Sequence, residues 1–333
     1  MEVIRPNLCV ECGSCVSVCN ANAIGMEGTP KLIGKCIACG DCYIVCPRTK
    51  TLQDVNTGNE EQLTSIVGDY KEAYACKAKS EEILKKCQDG GAVTAIISSF
   101  LRHNGEKAVV AGLDTSRPWF PKPVVTSYEN EVVQCAGTKY TSAAMLTGLQ
   151  DAVKQGAKRI ALVGTPCQIQ ALRRREALDL NKSVNSDYLG IGLFCMETFD
   201  YERLMSYLRE QGVDPTKVRK FEIKAGKFIA RREPDEPFEI KIRKIKDLSR
   251  SCCKVCLDYT SEVADISVGN VGSPEGWSTV IVRTEKGQKA LKETEKSGLI
   301  DVKKLSEFQP GISLVERLSE SKKHERKLND LNK

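Results

Sequence analysis

Two cysteine runs near the N-terminus constrain this chain more than any other feature. Cys9, Cys12, Cys15 and Cys19 follow the spacing C-x2-C-x2-C-x3-C, and Cys36, Cys39, Cys42 and Cys46 repeat it, closed by Pro47. Three thiolates on so tight a loop reach several metal atoms of one compact centre, and Gly13 and Gly40 let the backbone wrap closely around it. A single zinc ion is normally held by paired C-x2-C knuckles rather than triple runs. The chain opens "MEVIRPNL", with neither an apolar signal core nor a twin arginine. A cytoplasmic location is therefore expected, where such runs mean metal or redox chemistry rather than disulfides.

The double run resembles that of bacterial ferredoxins with two [4Fe–4S] clusters. Carried over on that pattern, one cluster takes Cys9, Cys12, Cys15 and Cys46. The other takes Cys36, Cys39, Cys42 and, crossing over, Cys19. Asn20 stands where the second run has proline, which alters the local turn and leaves the ligands in place.

The length of 333 residues allows one small domain and one or two larger ones with real cores. No apolar run approaches membrane-spanning length, so direct membrane insertion is not expected. The net charge of +6 is spread along the chain, which argues against a nucleic-acid partner. Four segments are predicted: a ferredoxin block over 1–50, a polar linker over 51–68, a large domain over 69–310, and a charged C-terminal helix over 311–333 whose charges read as a solvated face.

Within the large domain, helical and strand patterns alternate. "AVTAIISSFLRHNG", "SAAMLTGLQDAVKQG", "CQIQALRRREAL" and "EKGQKALKETEKSG" read as helices. "KAVVAGLD", "KRIALVGTP", "DYLGIGLFC", "ADISVGN" and "STVIVRT" read as strands. The fold class expected is α+β or α/β: a small ferredoxin-like 2[4Fe–4S] domain followed by a larger α/β domain with a central sheet. Ligands in such sheets bind at the C-terminal ends of strands. Cys167 and Cys195 fall at two such ends, and "SCCKVCLD" adds Cys253 and Cys256 as a C-x2-C pair. These four are candidates for a third [4Fe–4S] cluster, with Cys252 as the rival of its neighbour Cys253. Cys76, Cys87 and Cys135 read as buried, inert thiols. Gly90 and Gly91 in "CQDGGAVTA" would let backbone amides approach an anionic group at a helix start. The two histidines, His103 and His324, offer no acid–base pair, and no catalytic residue is assigned.

Taken with "AGTKYT", "LVGTPCQIQALR", "GLFCMETFDYE" and "CKVCLDYTSEVADISVGNVGSPEGWSTVIVRT", the glycine stretch resembles the beta-subunit family of coenzyme F420-reducing hydrogenases and F420-dependent dehydrogenases. The resemblance runs from about Gly68 to beyond Arg283. Its ferredoxin extension is similar to that of members in the F420H2 dehydrogenase of methane-related archaea and in formate dehydrogenase. The resemblance implies a flavin-binding α/β domain that holds FAD and a [4Fe–4S] cluster and exchanges hydride with F420. The residues it assigns to FAD are Gly90, Gly91, Ala92, Val93, Thr94, Thr138, Lys139, Tyr140, Gly164, Thr165, Gln168, Asn270 and Gly272. Lys139 is expected to neutralise the pyrophosphate or the reduced flavin, and Trp277 and Tyr259 to stack on a ring or simply fill the core.

A deazaflavin carries electrons in pairs as hydride and an iron–sulfur cube carries one, so a flavin is needed between them. The implied route runs from F420H2 through FAD and three [4Fe–4S] clusters to a partner redox protein, or in reverse. A hydrogenase, a dehydrogenase complex subunit, docked to a membrane complex in some cases, and a free ferredoxin are the partners expected. The alternative is a flavo-iron–sulfur electron-transfer subunit with another substrate or no substrate site of its own.

Overall fold

The computed structural model describes residues 3–5, 7–49, 65–181 and 186–331. Most of the stretch expected as a linker, residues 51–64, therefore lies outside the described residues. In the N-terminal block a short helix, Ser14–Ser17, precedes the antiparallel hairpin of β1 (Ile24–Glu27) and β2 (Thr29–Leu32), and a second helix, Asp41–Ile44, follows. The cysteine repeat is also a backbone repeat. Gly13 and Gly40 take left-handed φ values of 82° and 84° at the two helix starts. The Glu11 and Ala38 amides donate to the Cys9 and Cys36 sulfurs at 3.4 and 3.3 Å.

The remaining strands are β3 (Glu72–Ala78), β4 (Lys107–Leu113), β5 (Pro121–Thr126), β6 (Arg159–Gly164), β7 (Asp187–Leu193), β8 (Val218–Lys224), β9 (Lys227–Arg232), β10 (Phe238–Lys241), β11 (Ile266–Gly269), β12 (Ser278–Val282) and β13 (Ile300–Lys304). Eight form a mixed sheet in the order β13-β3-β12-β11-β7-β6-β4-β5. Its centre, β4, β6, β7 and β11, is parallel, and both flanks are antiparallel. The α/β expectation holds, with β11 and β12 as an antiparallel pair. Strands β8, β9 and β10 make a separate antiparallel sheet that packs with the helix Tyr201–Glu210 around Phe221 and Phe228.

The helices Ala92–Arg102 and Glu285–Lys296 cover one sheet face, and Met145–Lys154 and Pro166–Asn181 the other. The ferredoxin block joins that second core rather than standing apart. Val10 and Cys12 are buried among Leu146, Leu149 and Ile169, and Leu146 N donates to Cys12 O at 2.9 Å. Burying one such aliphatic side chain contributes about 1.5–3 kcal/mol. A Cβ on Gly13 would stand 2.7 Å from Thr147 Cγ2, so the same glycine serves the loop and this docking. Val67, near the end of the expected linker, is fully buried. The C-terminal helix runs Ile312–Leu331 and is not a solvated face: Val315, Ser319, Lys322 and Arg326 are buried. Among the described residues no helix is long and apolar enough to cross a membrane.

Candidate redox site

The fold brings the fourth cysteine of each run beside the other run. Cys46 lies within electrostatic reach of Cys9, Cys12 and Cys15, and Cys42 within reach of Cys39, Cys19 and Cys36. Burial first, and these neighbours second, push the Cys15 thiol up to about 12 and Cys12 well above the usual value. Crowded, buried thiols that resist ionisation need positive charge among them, which a cluster's irons supply. Cys12 is buried and Cys15 half-buried, whereas Cys36 and Cys39 are exposed together with Leu32, Ile33 and Ile37.

The third set converges as well, although its members are far apart in sequence. Cys167 lies in the first turn of the helix that follows β6, and Cys195 lies just beyond β7. Cys253 and Cys256 come from the turn Ser251–Val255 and its end. All four line one cavity with Thr165, Thr198, Arg48, Arg250 and Lys322. Burial holds Cys195 well above the ordinary thiol value, with Cys253, Cys167 and Cys256 as charged neighbours. Cys252 and Cys253 part company here. The Cys252 thiol donates to the Cys253 sulfur, and Thr198 N adds a bond at 3.5 Å, so Cys253 is pulled down and Cys252 pushed up. Cys252 itself is buried in the core beneath the ferredoxin block.

Sequence reasoning missed the cations around these thiols. Lys322 Nζ donates to Cys195 O and Asp258 O, both at 2.7 Å, and lies 3.7 Å from Cys256 Sγ. Arg250 donates to Val10 O at 3.0 Å and Cys9 O at 3.1 Å and pairs with Glu11 at 3.0 Å. Arg48 Nη2 donates to Cys252 O at 3.3 Å, while its Nε is buried without a hydrogen-bond partner. Among the described residues neither Arg48 nor Lys322 has a carboxylate ion pair. Buried cations without carboxylates are costly, and an anionic thiolate-bound cluster offsets that cost. The donor set and its surroundings fit a [4Fe–4S] group.

The residues assigned to FAD by resemblance fall into three places. Gly90 packs against the sheet: an added Cβ would lie 2.4 Å from both Cys76 O and Ser278 N. Gly91, at φ 71°, starts the helix carrying Ala92, Val93 and Thr94. Asn270, one residue past β11, lies beside Asp89, which is also within electrostatic reach of Lys220 on β8. Tyr140 OH accepts from Ile223 N at 3.0 Å, and Asp89 lies within its electrostatic reach. Asn270, Lys220 and Tyr140 thus gather around Asp89, the residue before Gly90. Asp89 and Lys220 were not anticipated, since β8 carries no sequence pattern that points to this edge.

Gly164, Thr165 and Gln168 belong instead to the thiol site. Gln168 Oε1 accepts from Thr165 N at 2.9 Å, its Nε2 donates to Ala143 O at 2.8 Å, and Thr165 Oγ1 lies 3.3 Å from Cys167 Sγ. Gly272, at φ 101°, packs on Gly311 O, where a Cβ would come within 2.6 Å. Thr138 precedes Lys139 in the loop after Gly137. Trp277 stacks obliquely near Phe308 and Tyr259 near Phe194, both in the core. His103 binds Ser99 O at 2.9 Å through Nδ1.

Lys139 is neither on the surface nor open to a phosphate in this arrangement. Its ammonium donates to Cys135 O, to Gly137 O at 3.0 Å and to Ala136 O at 3.2 Å. Burial pulls it down to about 8. The unfolded chain, with an ordinary lysine near ~10.4, then binds more protons from about pH 8 upward, so stability rises with pH across that window. Lys139→Met is expected to lose this rise. Urea unfolding at about pH 8 and about pH 10 should show the variant's stability falling relative to the parent's. A difference that stays constant would contradict a buried ammonium.

Family models match three segments: a 4Fe-4S dicluster domain over residues 1–47, and the coenzyme F420 hydrogenase/dehydrogenase beta subunit N-terminus over 73–150 and C-terminus over 157–307. The chain is 36% identical over 258 residues to the coenzyme F420 hydrogenase subunit beta of Methanococcus voltae, covering 77% of this chain and 92% of that one. It is 30% identical to an F420H2 dehydrogenase subunit of Methanosarcina mazei, covering 97% of this chain and 91% of that one. Among solved structures, a chain of the F420-reducing [NiFe] hydrogenase complex from Methanosarcina barkeri superposes with a TM-score of 0.75 at 32% identity, covering 79% of this chain and 92% of that chain. With its thiol sets, its mixed sheet and these matches, the chain belongs to the coenzyme F420 hydrogenase/dehydrogenase beta subunit family, with an N-terminal 4Fe-4S dicluster domain.

Proposed function

We propose that the chain is an F420-linked oxidoreductase subunit that exchanges a hydride with coenzyme F420 through FAD and trades single electrons with a partner redox protein. The observation that carries this reading is the order of the three thiol sets. Cys12 of the first lies within electrostatic reach of Cys167 of the third, and Cys15 of the first within reach of Cys42 of the second. The order leads from a buried site to Cys36 and Cys39 at the surface, as a one-electron conduit to a partner requires.

Bound FAD would supply the exchange between paired and single electrons, and three [4Fe–4S] clusters the one-electron relay. Cys9, Cys12, Cys15 and Cys46 would hold one cluster, Cys19, Cys36, Cys39 and Cys42 the second, and Cys167, Cys195, Cys253 and Cys256 the third. Cys253 is preferred over Cys252 because Cys252 donates to it and Thr198 favours its thiolate. Strands β7 and β11 run parallel, pairing Leu193 with Val268, so Cys195 and Asn270 leave the sheet at the same end. The flavin cleft is proposed at that edge, bordered by Gly90, Asn270 and Lys220, because strand ends in such sheets bind ligands. Gly91 and the helix start behind it would face the pyrophosphate with backbone amides. Lys220 is the cation at that cleft, and alignment of the two rings rather than a proton shuttle would drive the transfer.

The test is anaerobic. The full chain, reconstituted with FAD, iron and sulfide, is mixed with reduced F420, and the absorbance of oxidised coenzyme is followed alongside cluster bleaching. Coenzyme oxidation with matching bleaching is expected. No coenzyme oxidation, with FAD and full iron content in place, would reject F420 as the substrate and leave an electron-transfer subunit.

A further inference from the structure

We infer that Arg48 is a positioning residue for the third iron–sulfur centre: its Nε donates into the cavity ringed by Cys167, Cys195, Cys253 and Cys256 and raises the reduction potential of the cluster held there. The inference rests on the proposed assignment of a [4Fe–4S] cluster to those thiols. Arg48 itself falls between the matched family segments 1–47 and 73–150, so neither family description covers it.

Three cations line the cavity, and two are fully engaged. Lys322 spends its donors on Cys195 O, Asp258 O and the Cys256 sulfur. Arg250 reaches Val10 O, Cys9 O and Glu11. Arg48 differs. One Nη binds Cys252 O, and Nε–H remains buried with no acceptor among the described residues. A buried N–H without an acceptor costs free energy, and Arg48 lines the cavity that the four thiols enclose. The sulfides and thiolates of a cluster are acceptors of the right sign. Adding one electron makes such a centre more negative, so a fixed cation favours the reduced form and moves the potential up. Arg48 also stands two residues beyond Cys46, a ligand of the adjoining set. One short segment therefore reaches both centres and can bring their potentials within range of each other.

The test uses the full chain, reconstituted anaerobically, as Arg48→Gln and Arg48→Lys. Iron and sulfide per chain are measured, and each cluster signal is titrated by electron paramagnetic resonance. The third centre's signal is the one that disappears in Cys256→Ala. In Arg48→Gln, iron content should be unchanged and that signal's reduction equilibrium should fall about tenfold, a downward shift of about 59 mV for one electron. Arg48→Lys, which keeps the charge, should recover more than half of the shift. An unmoved midpoint at full iron content overturns the proposal. Loss of iron in both variants overturns it too, because Arg48 would then merely hold the ligand loops. If Cys256→Ala loses no iron, the cluster assignment fails and the inference falls with it; that result is read with Arg48 intact, so the two failures are distinct.

Discussion

Cys167→Ala and Cys256→Ala, reconstituted with FAD, iron and sulfide, are each expected to hold about four fewer irons per chain than the parent while flavin stays bound. Each removes one ligand from a set of four that come from separate elements. Cys167 opens the helix after β6, Cys195 follows β7, and Cys253 and Cys256 share a turn. Cys252 lines the same cavity and is the one neighbouring thiol that could substitute, although it is also buried against the core beneath the ferredoxin block. Cys252→Ala is expected to keep its iron while weakening the donor to Cys253. Iron and sulfide analysis beside the flavin absorbance decides the matter. Parent-like iron in both ligand variants would remove the third cluster, and iron loss in Cys252→Ala alone would exchange the roles of the adjacent cysteines.

Arg283→Leu is expected to lower the stability of the large domain by about 3–5 kcal/mol, the range for leaving a buried charge network without one partner. The guanidinium donates to Ser267 Oγ at 2.7 Å, Asp69 O at 2.9 Å, Val67 O and Thr260 Oγ1 at 3.0 Å and Thr260 O at 3.3 Å. It thereby ties residues 67–69 to β11 and to the turn after Asp258. Leucine would leave these acceptors dry and unpaired, each at a cost of about 1–3 kcal/mol before relaxation. The same turn carries Cys256 and Asp258, so iron retention at the third site should fall together with stability. Denaturant midpoints of the parent and variant chains, measured under identical reconstitution, check the effect. A loss below about 1 kcal/mol would mean that water or a local shift satisfies the acceptors.

Several elements are legible in the residue order alone. The cysteine runs stand out because three thiols of each lie within a few residues, and the crossover of Cys19 and Cys46 is what the ferredoxin resemblance implies. Strands β4, β6, β7, β11 and β12 stand out as apolar runs because they lie inside the sheet and are covered on both faces. Strands β3, β5, β8, β9, β10 and β13 do not. Most are flanking strands or belong to the small sheet, and their mixed polar sequences, such as "VRKFEIK" and "IDVKK", carry only a weak alternation.

The charged tail illustrates the same limit at the site. Lys322 and Arg326 read as solvent-facing, yet they are buried, with Lys322 beside Cys256 and Arg326 3.5 Å from Glu197. Lys139 is assigned by motif to an anion and is found on the carbonyls of its own loop. Motif resemblance identifies a segment, but it does not say which way a long side chain turns.

By itself the sequence determined the 4Fe-4S dicluster block, the α/β alternation of the large domain and the family, because each is written in local spacing or in ordered motifs. Only the tertiary structure decided that the ferredoxin block is sutured to the sheet core and that Arg48, Arg250 and Lys322 surround the third thiol set. Arg48 and Cys252 meet across 204 positions, and Arg250 and Cys9 across 241. Contacts at such separations depend on how helices and strands pack, and no local pattern of residues records that packing.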